Sequence, residues 1–148
     1  MDRHLDIAIV GYGTAGQAVA RLLSRQGHRL DIFERAPQPG PVGAGLLLQP
    51  TGLGVLAQLG LLDAALACGE PIVRLLGTTT SGRRVIDMHY SGLDPTWFGL
   101  GIQRGALFEI LRDETLAPAL RCGTTIVAID HAARTLVDAD GARYGPYD

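Results

Sequence analysis

Short apolar runs alternate along the chain with amphipathic stretches of helical period, and glycine marks most of the changes. Leu5, Ile7, Ile9 and Val10 form a run that suits a buried parallel strand. It breaks at Gly11-Tyr-Gly13-Thr-Ala-Gly16, after which Ala18, Val19, Leu22 and Leu23 recur on one helix face until Gly27. Leu30, Ile32 and Phe33 predict a second strand that ends on Glu34. The stretch 36–52, APQPGPVGAGLLLQPTG, predicts a long loop, too rich in Pro and Gly for a helix or central strand before Gly45. Within it, 37–50 is the best candidate for a mobile connection, and loops this long in compact domains are usually functional.

Thr51 predicts a cap for a helix bearing Leu53, Val55, Leu56 and Leu59, stopped by Gly60, and 61–68 predicts a second helical piece closed by Gly69. Over 71–90 the period changes to that of strands. The runs IVRLLGTTT and RRVIDMHY, joined by Ser81-Gly82, predict a hairpin in a different layer from the α/β part. A loop over 91–100 carries Pro95, Trp97 and Phe98, two aromatics that suit either a substrate cavity or core packing for the hairpin. Gln103 starts a helix with Leu107, Ile110, Leu111 and Leu116 at helical spacing, finished by Pro118. Strands are predicted at 124–130 and 135–138, with Asp140-Gly141 as a turn. No internal repeat, low-complexity tract or interdomain linker interrupts the pattern.

The first strand, glycine turn, helix and second strand are the context in which GxGxxG carries chemistry. Gly11 permits a tight turn, Gly13 allows the backbone to approach a pyrophosphate, and Gly16 lets the helix pack close to the strand. The N–H groups near Thr14 and Ala15, at the positive end of the helix dipole, face such phosphates. Glu34, at the end of the second strand, can accept from both hydroxyls of an adenosine ribose, and its charge disfavours a 2′-phosphate. Arg35 has two readings, along an adenine or facing water. Arg104 opens a helix, where the dipole offers a cation nothing, so an anionic neighbour would explain it.

Composition narrows the classes. The 148 residues make one domain, with 47% hydrophobic residues, 20 glycines and a net charge of −2. There is no basic block or cationic amphipathic helix for nucleic acid or a membrane surface, and no apolar run long enough to span a bilayer. A cytoplasmic protein is expected. Cys68 and Cys122, without a CxxC partner, predict buried reduced thiols. His4, His28, His89 and His131 are dispersed without metal-ligand spacing, so no metal is expected, and no catalytic acid, base or nucleophile stands out.

Several of these residues carry a resemblance to the N-terminal part of class A flavoprotein aromatic hydroxylases, the group that includes p-hydroxybenzoate and salicylate hydroxylases. They are the fingerprint Gly11, Gly13, Gly16, Ala20, Leu23, Gly27, Glu34 and Arg35, the segment GAGLLLQPTGLGVLAQLGLLDAALACG over 43–69, and Ile102-Gln-Arg104-Gly-Ala-Leu107 with Leu111. The family's later glycine-aspartate motifs are absent, so the chain is expected to be a truncated N-terminal piece. Thr51 stands where many relatives have Asn, and Gly43 where some have Arg.

The resemblance implies a Rossmann-like α/β FAD-binding domain with a parallel sheet over 1–148, and 71–101 as a β-rich insertion contributing a hairpin to a second, substrate layer. It implies an FAD-dependent monooxygenase that uses NADPH or NADH and O2 to hydroxylate a small aromatic substrate. Gly11, Gly13, Thr14, Ala15, Gly16, Glu34, Arg35, Gly45 and Arg104 would hold the cofactor, with Arg104 directed to the ribityl and phosphate region. The alternatives are a non-catalytic nucleotide-binding fragment or Rossmann module serving another protein, and an NAD-linked dehydrogenase. The isolated chain is expected to be inactive and to self-associate through the hairpin or near Tyr144, because an apolar hairpin face without a partner invites pairing.

Overall fold

The computed structural model describes residues 4–40 and 43–148, which gather into two compact units, Met1–Gly40 with Leu111–Asp148, and Pro41–Ile110. The first unit is built on a parallel sheet. Strand β1 (Asp6–Val10) leads through the glycine turn into helix α1 (Thr14–Arg25) and back to β2 (Arg29–Glu34). Parallel pairing of β1 with β2 sets Ile9 beside Ile32 and Val10 beside Phe33. Ala20, Leu30, Ile32 and Phe33 are buried, so one face of α1 and the middle of β2 make the core. Gly27, at φ +82°, ends the helix as its position in the sequence predicts.

The second unit is antiparallel. Strand β3 (Gly45–Leu48) is followed by α2 (Pro50–Gln58), α3 (Leu62–Cys68), β4 (Gly69–Ile72) and the hairpin β5 (Arg74–Thr78) and β6 (Arg84–His89). A short 3-10 turn (Tyr90–Gly92) precedes β7 (Gly99–Gln103) and α4 (Arg104–Leu111). Strand β7 is the centre of a three-stranded sheet, with β3 on one side and β4 on the other. Leu53 and Leu56 of α2, Leu59 just past its end, Ala65 of α3, and Leu100 and Ile102 of β7 are buried here. The chain then returns to the first unit through a 3-10 helix (Glu114–Ala119), β8 (Leu120–Cys122) and the meander β9 (Ile126–Asp130), β10 (Thr135–Asp138) and β11 (Arg143–Tyr144). Strand β8 joins the parallel sheet beside β2.

Several expectations need correction. Within the expected loop 36–52, Gly45–Leu48 is a strand, because the apolar GLLL run finds the central strand β7; Pro41 and Val42 lie outside the described residues. Gln49 rather than Thr51 is the N-cap of α2, since Pro50 at the first helical position needs no N–H partner. The run IVRLLGTTT splits at Val73, so Ile72 pairs with β7 while Arg74–Thr78 keeps its pairing with β6. The loop over 91–100 ends early because Gly99 and Leu100 belong to β7. The helix after Gln103 stops at Leu111, and Leu116 lies on the separate 3-10 helix that contains Pro118. Strand β8 was not expected, since three residues show no period. Both cysteines are free but exposed, Cys68 at the last position of α3 and Cys122 at the end of β8.

Candidate functional site

The parallel register builds the site in the first unit. Because β1 ends at Val10 opposite Phe33, the glycine turn emerges beside the last residue of β2. Gly11 N–H donates to the Phe33 carbonyl at 2.7 Å, with Gly11 at φ +100°, a backbone setting that favours glycine. Tyr12 N–H donates to Glu34 Oε2 at 2.8 Å, and Ala36 N–H donates to Glu34 Oε1 at 2.8 Å. The acid that the pattern assigns to a ribose therefore also clamps the turn. Each carboxylate oxygen retains acceptor capacity beyond its single backbone donor.

Gly13 is the N-cap of α1, and the first bond of the helix ladder runs from Gln17 N–H to Gly13 O at 2.9 Å. The N–H groups of Thr14, Ala15 and Gly16 precede that ladder and carry the positive end of a 12-residue helix. Gly13, Thr14 and Ala15 are exposed. A Cβ added at Gly11 or Gly13 would meet nothing within 4 Å, whereas one at Gly16 would run into the Gly11 carbonyl. The turn is thus open above and closed below, which leaves room over the helix N-terminus for an anionic group. Arg35 is exposed just beyond β2.

The remaining expected residues belong to the second unit. Gly45 lines a cleft of about 620 Å³ with Gln103, Glu70, Cys68 and Gly101. Arg104 is exposed at the first position of α4, and its Cδ would lie 3.3 Å from a Cβ added at Gly43. Gly43, at φ +103°, thus makes room for the Arg104 side chain, which links two segments that the sequence resemblance matched separately. Trp97 and Phe98 border a smaller apolar cavity of about 170 Å³ with Leu53 and Gly54 of α2.

Three residues escaped the reading of the sequence. Tyr12 is 5% exposed, and burial pushes its phenol up in pKa while the nearby Asp113 main chain draws it down. Asp113 is in turn approached by Arg21 of α1, whose Nε lies 3.4 Å from Asp113 Oδ2. Asp113 lies about a hundred positions from the other two, which hides this grouping from any local pattern. Among the described residues, no group of three His, Cys, Asp or Glu side chains could hold a metal, and no helix is long and apolar enough to cross a membrane.

A parallel βαβ unit with an open glycine turn, a helix N-terminus and a strand-end acid defines a dinucleotide-binding protein of the α/β class. Residues 4–124 match the FAD binding domain family, and the chain belongs to that family. The relatives include 3-amino-4-hydroxybenzoate 2-monooxygenase of Streptomyces cremeus, 49% identical over 69 residues, which cover 47% of this chain and 18% of that protein. The 2-heptyl-3-hydroxy-4(1H)-quinolone synthase of Pseudomonas aeruginosa is 30% identical over 138 residues, 90% of this chain and 36% of that one. Among solved structures, a 2-methyl-3-hydroxypyridine-5-carboxylic acid oxygenase variant aligns with a TM-score of 0.75 at 23% identity, over 96% of this chain and 37% of the other. A Klebsiella pneumoniae HpxO variant complexed with FAD aligns at 0.72 and 20% identity, over 95% and 37%. These two likenesses are of fold. The chain spans well under half the length of the relatives and structures it matches.

Proposed function

We propose that this chain is the FAD-binding part of a monooxygenase that hydroxylates a small aromatic substrate with NADPH or NADH and O2. The observation that carries the reading is the Gly11–Gly16 turn, open over its glycines and fixed at Tyr12 to the Glu34 carboxylate. The name of the Streptomyces cremeus relative, a 3-amino-4-hydroxybenzoate 2-monooxygenase, supports the substrate class.

In this reading the N–H groups of Thr14, Ala15 and Gly16 hold the pyrophosphate, and Glu34 accepts from the adenosine ribose. Arg35 flanks the adenine end. Gly45 and Arg104 join the cofactor set on the strength of the resemblance, Arg104 supplying positive charge to the ribityl and phosphate region. Bound flavin supplies the electron transfer and oxygen activation. The described residues bind it, orient it and exclude water from it, so no acid–base pair is required of them. The reading also takes the β5–β6 hairpin as part of a substrate layer, with Leu76, Val85 and Ile86 exposed on it as the contact for further chain or for self-association. A cytoplasmic setting belongs to it as well.

The test is direct. Full-length protein containing this chain should purify with a yellow chromophore that acid releases as FAD, and should oxidise NADPH or NADH faster when a hydroxylatable aromatic acid is added. Colourless protein that takes up no added FAD would overturn the reading.

A further inference from the structure

Buried polar groups in folded proteins are nearly all hydrogen-bonded, so one that is not asks for a reason. Among the described residues, three buried side-chain polar atoms lack a hydrogen bond: Arg21 Nε and both ends of the Gln17 carboxamide. Arg21 Nε still has a counter-charge, because it lies 3.4 Å from Asp113 Oδ2, and Nη2 of the same guanidinium donates to the Arg112 carbonyl at 2.7 Å. Gln17 has neither. It is 0% exposed, and Nε2 and Oε1 are both without a partner. Leaving both halves of an amide unpaired costs stability that an apolar side chain of the same size would not. Ala20, the other fully buried residue of α1, is apolar, so packing alone does not ask for an amide here.

Gln17 closes the first turn of α1, its N–H donating to the Gly13 carbonyl at 2.9 Å. Helical side chains lean toward the N-terminus and cover the turn before their own Cα. The carboxamide therefore lies back toward Gly13 and Thr14, on the buried side of the helix end whose open side carries the free N–H groups of Thr14 and Ala15. One helix end thus combines exposed backbone donors, a dipole that favours an anion, and a buried amide without partners. We infer that Gln17 is a further binding residue for the cofactor, and that its carboxamide is hydrogen-bonded only when the diphosphate occupies this helix end. The inference rests on the flavin reading for the identity of the ligand.

A side chain with no exposed surface reaches a ligand above it through one bridging water. Phosphate oxygens only accept, so Nε2 donates to the water and the water donates to a phosphate oxygen. Such a contact exists in the bound state alone, so its free energy adds to affinity and not to the stability of the empty protein. Removing the amide should therefore have opposed effects: the flavin-free protein becomes more stable, and the diphosphate binds more weakly.

Full-length protein tests this in three forms: wild type, Gln17→Met and Gln17→Leu, both of which keep the bulk and remove the amide. Denaturant midpoints are measured without flavin, and the affinities of FAD and ADP by titration calorimetry. Both variants should unfold at a higher denaturant concentration than wild type. Both should bind FAD and ADP about 10-fold more weakly, the scale of one hydrogen bond to a charged group. The two ligands should lose affinity equally, because they share the diphosphate.

An unchanged or lower midpoint in both variants would show that the amide is already satisfied in the empty protein, and would overturn the inference. So would unchanged affinity for both ligands, a loss for FAD without one for ADP, or a change confined to one variant, which would assign the effect to packing. Wild type that binds ADP but not FAD would sink the flavin reading alone, and the ADP titrations would then decide the inference. Wild type that binds neither sinks both.

Discussion

Two glycine-rich regions of this chain use the missing side chain for opposite purposes. In the first unit Gly11 and Gly13 leave empty space above a turn, and that space is what a ligand would occupy. In the second unit Gly69 and Gly99 leave none. A Cβ on Gly69 would lie 2.8 Å from Leu100 Cγ, and one on Gly99 would lie 2.8 Å from Leu47 Cδ1 and 2.9 Å from the Tyr90 hydroxyl. There glycine lets Tyr90, 2% exposed and donating to Gln49 Oε1 at 2.8 Å, pack against the central strand. Glycine content says only that side chains are absent. Whether the absence serves a ligand or a neighbour depends on what the fold brings near.

The sharpest way to break that comparison is a matched pair of substitutions. Gly16→Val drives its side chain into the Gly11 carbonyl, which is main chain and cannot rotate away, so the cost should reach about 3 kcal/mol and FAD binding should be abolished. Gly99→Val meets the ends of Leu47 and Tyr90, which can move, and should cost about 1–2 kcal/mol while the folded protein keeps its FAD affinity. Denaturant unfolding and FAD titration of both proteins read the difference. Equal loss of flavin in the two would show that the glycines do not divide in this way.

Next in size is Glu34→Ala. It should weaken FAD binding by about 1–3 kcal/mol, the scale of hydrogen bonds to a charged group left unmade. The turn should also loosen, because Tyr12 and Ala36 lose their acceptor. Unchanged FAD affinity would reduce Glu34 to a turn clamp.

The smallest effect separates the units by pH. In the first, the Tyr144 hydroxyl and the N–H groups of Asp140 and Ala142 hold the Asp138 carboxyl below the usual carboxylate range, at 7% exposure. In the second, Arg74 lowers Asp87 on an exposed hairpin. In both, the folded-state pKa lies below the unfolded one. The stabilisation is therefore present at neutral pH and is lost as pH falls through the carboxylate range, below roughly pH 4. Surface ion pairs contribute little, so acid should lower amide-exchange protection factors, measured against the intrinsic rate at each pH, more in β10–β11 than in β5–β6. The reverse order would mean that the ion pair on the hairpin matters more than the enclosed aspartate.

Local order determined the strand, turn, helix and strand of residues 5–34. Each step has its own chemical cause within a few residues, from the apolar run to the helix-stopping Gly27. The candidate phosphate and ribose contacts were legible for the same reason, since parallel pairing across one helix necessarily brings Gly11 beside Phe33 and Glu34. The hairpin pairing of 74–89 was legible too, because alternation and a turn lie next to each other in the chain.

Tertiary structure alone decided the rest. Strand β7, with two glycines in five residues, has no strand signature of its own and exists because β3 and β4 supply its partners. Strand β8 is three residues long and is set by β2. The two cysteines are exposed because of where α3 and β8 end, which composition could not show. Arg21 donates to the Arg112 carbonyl 91 positions away and lies beside Asp113, and no periodicity extends that far. Sequence by itself therefore determined the local frame of the glycine turn, while the contacts that tie α1 to the segment after α4 exist only after the chain has folded back on itself.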